Sequence, residues 1–232
     1  MIKIYILFVL HLFTGIIFAQ TNIDDRKIEF RDGIEWQYYI NNGLKIAMTN
    51  STVKEYGKWH KIDLMIFNNS NDVIELDPVN QLSALSTNNE NVTTELEVWS
   101  SDKYLKKVRR IQNWAMALNS FSEGLNAGNA GYSNTSSLST NNGYTYSTTY
   151  NHNAAFQAQM EAQNRIANLS EKMKDELKIK QLGYLKRNTI YPGESIQGYI
   201  YIKYIKGKTL YIIFRQSDQI YKFDWNIEKK QK

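Results

Sequence analysis

The sequence predicts a mainly β fold with an α insertion, an antiparallel β-sandwich interrupted by a long helical hairpin. Three observations predict it: period-two hydrophobicity between residues 20 and 101, the same period between 183 and 227, and three- and four-residue spacing of apolar side chains between them. About 210 residues can bury one large core, whereas each β block is small for a core of its own. Two β domains bridged by helices are the alternative, although the three or four strands of the last block make a marginal separate sheet.

Residues 1–19 read as a cleavable signal peptide. Lys3 supplies the charged start, Ile4 to Phe18 the apolar run, and Ala19 the small residue before the cut, so that the mature chain begins at Gln20. The apolar run is shorter than the ~20 residues a bilayer core demands, and His11, Thr14 and Gly15 interrupt it. Export to the periplasm, the outer surface or the medium is therefore expected. The chain has no cysteine, which excludes a disulfide framework and an N-terminal lipid anchor, so it is not read as a lipoprotein. Its 28 basic and 23 acidic residues fall to 27 and 23 once Lys3 leaves. That mild excess speaks to association with anionic partners and not to mechanism.

The first β block spans 20–101. Asp32-Gly33 between two apolar-alternating runs is a two-residue hairpin signal. Leu44 to Met48 and Ile62 to Phe67 alternate as strands, and shorter candidates follow at 73–76, 81–85 and 92–98, separated by Asn- and Asp-rich turns.

The insertion spans 102–182. Ser100-Ser101-Asp102 offers an N-cap hydroxyl and a first-turn carboxylate. Tyr104, Val108, Ile111, Ala115 and Leu118, flanked by Leu105, Trp114 and Phe121, then form one broadly apolar helix face ending near 124–131. A Ser-, Thr-, Asn- and Tyr-rich stretch at 132–153 is the expected low-complexity, mobile tip. A second helix follows from Ala154 to about Leu182, with Ile166, Leu169, Met173 and Leu177 as its stripe and Phe156 and Met160 extending it.

In the last block, 183–227, Pro192-Gly193 sets a type II turn. A strand from Ile196 to Tyr204 puts Ile200 and Ile202 on one face and Tyr199 and Tyr201 on the other. Lys206-Gly207 is expected to close a hairpin onto Leu210 to Phe214, and Ser217-Asp218 to turn into Ile220 to Trp225, giving three consecutive antiparallel strands. Residues 228–232 form a basic tail.

The segment Thr189-Ile-Tyr-Pro-Gly-Glu-Ser-Ile-Gln-Gly-Tyr-Ile200 resembles a Pro-Gly-Glu pattern found in exported immunoglobulin-like sandwich domains, including telokin-like ones. The strand end Phe67-Asn68-Asn69 is similar to the same group. The segment 124–133 resembles the insertions of uncharacterised Gram-negative envelope proteins in which such a sandwich carries helices. The resemblance implies an immunoglobulin-like topology and a binding or scaffolding role, and it transfers no functional residue.

Catalytic signals are weak. His60 and His152 are the only imidazoles beyond the leader, and neither has a partner at motif spacing. His60 reads as a rim histidine and His152 falls in the tip. Asn71, Asp72, Glu75 and Asp77 approach a calcium loop but lack its glycine and terminal glutamate, and they read as turn caps. No catalytic, metal or cofactor site is assigned.

Two surface sites are assigned instead. Lys103, Lys106, Lys107, Arg109 and Arg110 form a basic band for an anionic surface, lipid phosphate for example, unless Glu161, Glu171, Asp175 and Glu176 of the second helix neutralise it as an ordinary solvated face. Ser120, Gly124 and Gly128, four residues apart, are candidates for close helix packing or oligomer contact, against the plainer reading of a fraying helix end.

The expected function is non-enzymatic binding or structural work in the cell envelope, with a protein or glycan partner and no nucleic acid. The alternatives are a polysaccharide-acting enzyme with paired carboxylates and a peripheral membrane binder.

Overall fold

The computed structural model describes residues 21–22, 25–139 and 143–228. The expected signal peptide at 1–19 and residues 229–232 of the basic tail lie outside the described residues.

The chain folds as an antiparallel β-sandwich with a helical insertion. One sheet orders β12 (Ser195–Lys203), β5 (Lys58–Asn68), β4 (Leu44–Lys54), β3 (Ile34–Asn41) and β2 (Lys27–Arg31). The other orders β1 (Thr21–Asn22), β14 (Gln219–Asn226), β13 (Thr209–Gln216), β7 (Leu82–Thr87) and β8 (Thr93–Leu96), with β1 the one parallel neighbour. A small ladder joins β6 (Ile74–Leu76) to β11 (Asn188–Ile190). Strands from both ends of the sequence share both sheets, because β12 pairs with β5 and β13 pairs with β7.

Alternation explains the layers. On β5, His60, Ile62, Leu64 and Ile66 face inward with Leu44, Ile46 and Met48 of β4, and they meet Leu210, Ile212 and Phe214 of β13 and Tyr221, Phe223 and Trp225 of β14. Tyr39 ties the sheets together: its ring stands edge-on to Tyr221 and Phe223 at 5.4 and 5.2 Å, and its hydroxyl donates to the carbonyl of Lys222 at 2.6 Å.

Turn chemistry places the hairpins. Asp32-Gly33 and Asn42-Gly43 both adopt the positive φ pair of a type I′ turn. Pro192-Gly193 turns as expected, with Gly193 at φ +83, and it docks on the end of β5: Asn68 accepts at its carbonyl from Gly193 N at 2.7 Å, while its fully buried amide donates to the carbonyls of Asp72 and Ile190 at 2.8 and 3.0 Å. Two of the three segments on which the resemblance rests thus meet in one joint.

Three local expectations differ from the structure. Residues 204–207 do not close a hairpin; they cross from one sheet to the other, so that Lys208 N donates to Thr87 at 2.7 Å and β13 inserts between β14 and β7. The strand expected at 81–85 starts one residue later, behind a short helix α1 (Pro78–Gln81) that Asp77 caps, and Asn80 and Gln81 both donate back to the Asp77 carbonyl. The strand expected at 92–98 breaks at Glu97, where the chain leaves β8 and bridges to the other sheet through Val98 and Ile202.

The insertion consists of α2 (Ser101–Asn129), a two-stranded hairpin of β9 (Tyr132–Ser139) and β10 (Gly143–Tyr150) where a mobile tip at 132–153 is expected from composition, and α3 (His152–Gly183), which starts two residues ahead of the expected Ala154. Tyr132 and Tyr150 pair at the base of this hairpin, their rings 4.8 Å apart. Both ends of the insertion root on the edge of β12. Val98 bridges to Ile202, Tyr184 bridges to Tyr199, and Leu185 N donates to the Tyr199 carbonyl at 2.9 Å. An edge that would otherwise offer free backbone groups is thereby covered.

Tyr199 and Tyr201 on the outer face of β12 are covered by the helix ends, in a cluster with Trp59, Tyr104 and Tyr184 whose neighbouring rings lie 4.4 to 6.0 Å apart. A polar clasp completes the docking. Buried Lys180 sits 2.6 Å from Glu55 and 3.5 Å from Glu176, and Glu176 accepts from the Tyr56 hydroxyl at 2.8 Å. Buried Gln112 donates to the Tyr56 oxygen and to the Met173 carbonyl, both at 3.2 Å.

Candidate functional site

The basic band acquires its geometry at the root of α2. Trp99 is held from two sides: its N–H donates to the Tyr201 carbonyl at 2.9 Å, and its own carbonyl accepts from the buried Tyr184 hydroxyl at 2.7 Å. Ser100 then starts the helix, its hydroxyl accepting from Lys103 N at 3.2 Å. The indole of Trp99 is therefore fixed beside the first two turns, where residues 103, 106, 107, 110 and 114 recur on one side of α2.

These side chains line an open groove of about 630 Å³, formed by Trp99, Lys103, Lys106, Lys107, Arg109, Arg110, Asn113 and Trp114. All five cations named from the sequence are present, joined by two indoles and an amide. Lys103 Nζ lies 4.5 Å from the Trp99 ring centre, and Lys107 Nζ lies 4.5 Å from that of Trp59 and 5.3 Å from that of Trp99.

Its charge is largely uncompensated. Lys103 pairs with Glu97, which also accepts from the Trp99 indole N–H at 2.9 Å and which Lys103 holds below the usual carboxylate range. Among the described residues, no carboxylate lies within ion-pair distance of Lys106, Lys107, Arg109 or Arg110. The acidic residues of α3 that do form ion pairs are committed elsewhere, Glu161 to Arg165 and Glu176 to Lys180, and Arg165 also binds Glu123 at 2.8 Å. Partial burial, and then the charge of Arg110, hold the Lys107 ammonium below its ordinary pKa. An anion seated here would offset the repulsion from Arg110.

Backbone shape helps to hold the groove. The β4–β5 turn places Gly57 at φ +135 with Lys107 Nζ where a side chain would begin, 2.9 Å from an ideal Cβ. Only glycine suits both the conformation and the space.

The second assigned set, Ser120, Gly124 and Gly128, lies along the α2–α3 seam. With Ala127, Tyr150, Ala155, Gln159, Ala162, Gln163 and Ile166 it lines a groove of about 420 Å³. A Cβ built on Gly124 or Gly128 meets no atom within 4 Å, so contact with α3 does not require glycine at either place.

The remaining candidates fall into structural roles. His60 is fully buried on the core side of β5, its ring 4.8 Å from Tyr204, and not at a rim. Asp77 caps α1, and Glu75 accepts from the Thr189 hydroxyl at 3.0 Å. Among the described residues, no three His, Asp or Glu side chains gather around one point that could hold a metal ion, and no helix is long and apolar enough to cross a membrane.

Sequence reasoning missed the contribution of Trp99 and Trp114 to the basic groove, and it missed a further concave surface. The outer face of β3 presents Ile34, Trp36 and Tyr38, which with Glu29, Arg31, Lys45 and Met65 line a cleft of about 350 Å³. Period two was the available signal, but it does not say which of two apolar sets faces out. Comparison with protein-family models, with curated proteins and with solved structures finds no match for this chain.

Proposed function

We propose that this chain is an exported, non-enzymatic binding protein of the cell envelope, whose sandwich holds a helical arm that contacts a partner bearing phosphate, sulfate or carboxylate groups. The observation that carries this reading is the groove at the root of α2, where four cations without a carboxylate partner surround the held indole of Trp99 and the exposed indole of Trp114. Cations in such a cluster repel one another unless an anion joins them. Indoles give flat apolar surface on which a sugar ring or an acyl chain can lie. Guanidinium groups bind phosphate, sulfate and carboxylate in two-point fashion. The rooting of both insertion ends on β12 makes the groove a rigid, presented surface.

The test is retention of the intact protein on immobilised dextran sulfate and, separately, on vesicles containing phosphatidylglycerol. The wild-type chain should bind at low salt and elute as salt rises. A variant with Lys106, Lys107, Arg109 and Arg110 all changed to Gln should lose about tenfold or more in affinity for whichever surface the wild type prefers. Binding of that variant at wild-type strength, with its circular dichroism unchanged, refutes the reading.

A further inference from the structure

Helix α2 presents its main apolar stripe away from α3. Ile111, Trp114, Leu118, Phe121 and Leu125 are 36%, 67%, 62%, 67% and 53% exposed, while Gln112, Ala115, Met116, Ser120, Glu123 and Ala127 are the buried or half-buried positions. At 3.6 residues per turn the first set occupies an arc of about 80° and the second is centred about 160° away. Exposing five large apolar side chains in one line is unusual for a folded chain, and in α3 the stripe residues Ile166, Leu169, Met173 and Leu177 are at least half-buried.

We infer that this stripe pairs with the same stripe of a second copy of this chain, two α2 helices lying antiparallel about Leu118. Spacing gives the first argument. The five residues follow one another at three, four, three and four, the strict heptad seam of helices that pack knobs into holes. A helix that lies on a lipid surface carries a wider apolar face than this.

Area gives the second. Each exposed side chain offers on the order of 100 Å², so that two copies bury roughly 1,000 to 1,200 Å², at the threshold of a specific interface before any flanking contact is added. Phe156 and Met160 of α3, 64% and 45% exposed, add apolar surface on the same arm.

Charge gives the orientation. A parallel pair would set the Lys106, Lys107, Arg109 and Arg110 cluster of one copy beside its duplicate. An antiparallel pair sets that cluster beside the uncharged 124–130 end of the other helix, so the repulsion is avoided. The register is then self-complementary: Ile111 meets the partner's Leu125, Trp114 meets the partner's Phe121, and Leu118 meets the partner's Leu118, as a twofold axis demands.

Sedimentation velocity on the intact chain at about 100 μM tests the pairing, with Leu118→Glu plus Phe121→Glu as the variant and circular dichroism as the control for folding. The wild type should sediment as a dimer and the folded variant as a monomer. The absence of natural cysteine allows orientation to be read directly. Mixing Ile111→Cys with Leu125→Cys should give a disulfide-linked heterodimer on mild oxidation, and neither variant should cross-link with itself. A monomeric wild type, a dimer that survives both charges, or self-cross-linking of Ile111→Cys overturns the inference. So does a monomer that floats with phosphatidylglycerol vesicles and ceases to do so in the double variant, because lipid is then the occupant of the stripe.

Discussion

Replacing His60 by Leu should remove a step in the pH dependence of stability. Burial takes the imidazole from an ordinary 6.5 down to about 4, against an opposing contact from the backbone of Ile205 and with the charge of Lys58 pushing the same way. In the unfolded chain the group returns to its ordinary value and binds a proton that the folded state refuses. Stability from this residue is therefore complete above pH 6.5 and is lost as pH falls toward 4. The fall from 6.5 to about 4 corresponds to about 3 kcal/mol between neutral pH and pH 4. Urea unfolding of wild type and His60→Leu across that window isolates the effect, since carboxylates titrate alike in both. The gap between the two should move by about 3 kcal/mol in favour of the variant as pH drops. A gap that stays constant would mean that His60 charges freely in the folded protein, and its burial against Tyr204 would be wrong.

Other outcomes follow from single contacts. Tyr184→Phe removes a buried hydroxyl that donates to the Trp99 carbonyl and accepts from Tyr201 N at 3.1 Å; the loss should cost about 1 to 3 kcal/mol in chemical denaturation and weaken polyanion retention, because Trp99 loses one of its two anchors. Gly57→Ala forces a side chain into a positive-φ turn and onto Lys107, which should cost about 1 to 2 kcal/mol in thermal unfolding. Asn68→Ala leaves the carbonyls of Asp72 and Ile190 without their buried donor, and a loss of about 2 to 4 kcal/mol by urea titration is expected.

The strands were legible where alternation was strict and turns carried their own chemistry. Ile62, Leu64 and Ile66 face the core as their spacing implies, and Asp32-Gly33 and Pro192-Gly193 turn where their dihedral preferences require. Pairing partners were less legible. Residues 204–207 look like a loop between two strands that could equally join one sheet or two, and the choice is made by contacts with Thr87 and Ile227 that lie far away in sequence. The helix α2 shows the limit most clearly: its periodicity announces one apolar face, but Tyr104, Leu105 and Val108 spend that face on the sandwich while Ile111 onward is exposed. Periodicity names a face and not what covers it. The five cations of the candidate site were readable as a run, whereas the lack of a carboxylate partner at four of them was not, because it depends on where the carboxylates of α3 are engaged.

The most direct test of the proposed role is the salt dependence of polyanion affinity, followed through the tryptophan fluorescence of the intact chain, to which Trp99 and Trp114 contribute with three other indoles. With four unpaired cations engaged, the logarithm of the binding constant should fall with the logarithm of salt concentration at a slope of about −3, and the variant with Lys106, Lys107, Arg109 and Arg110 changed to Gln should show a slope near zero. Equal slopes for the two proteins would place the anion contact elsewhere on the molecule and contradict the account.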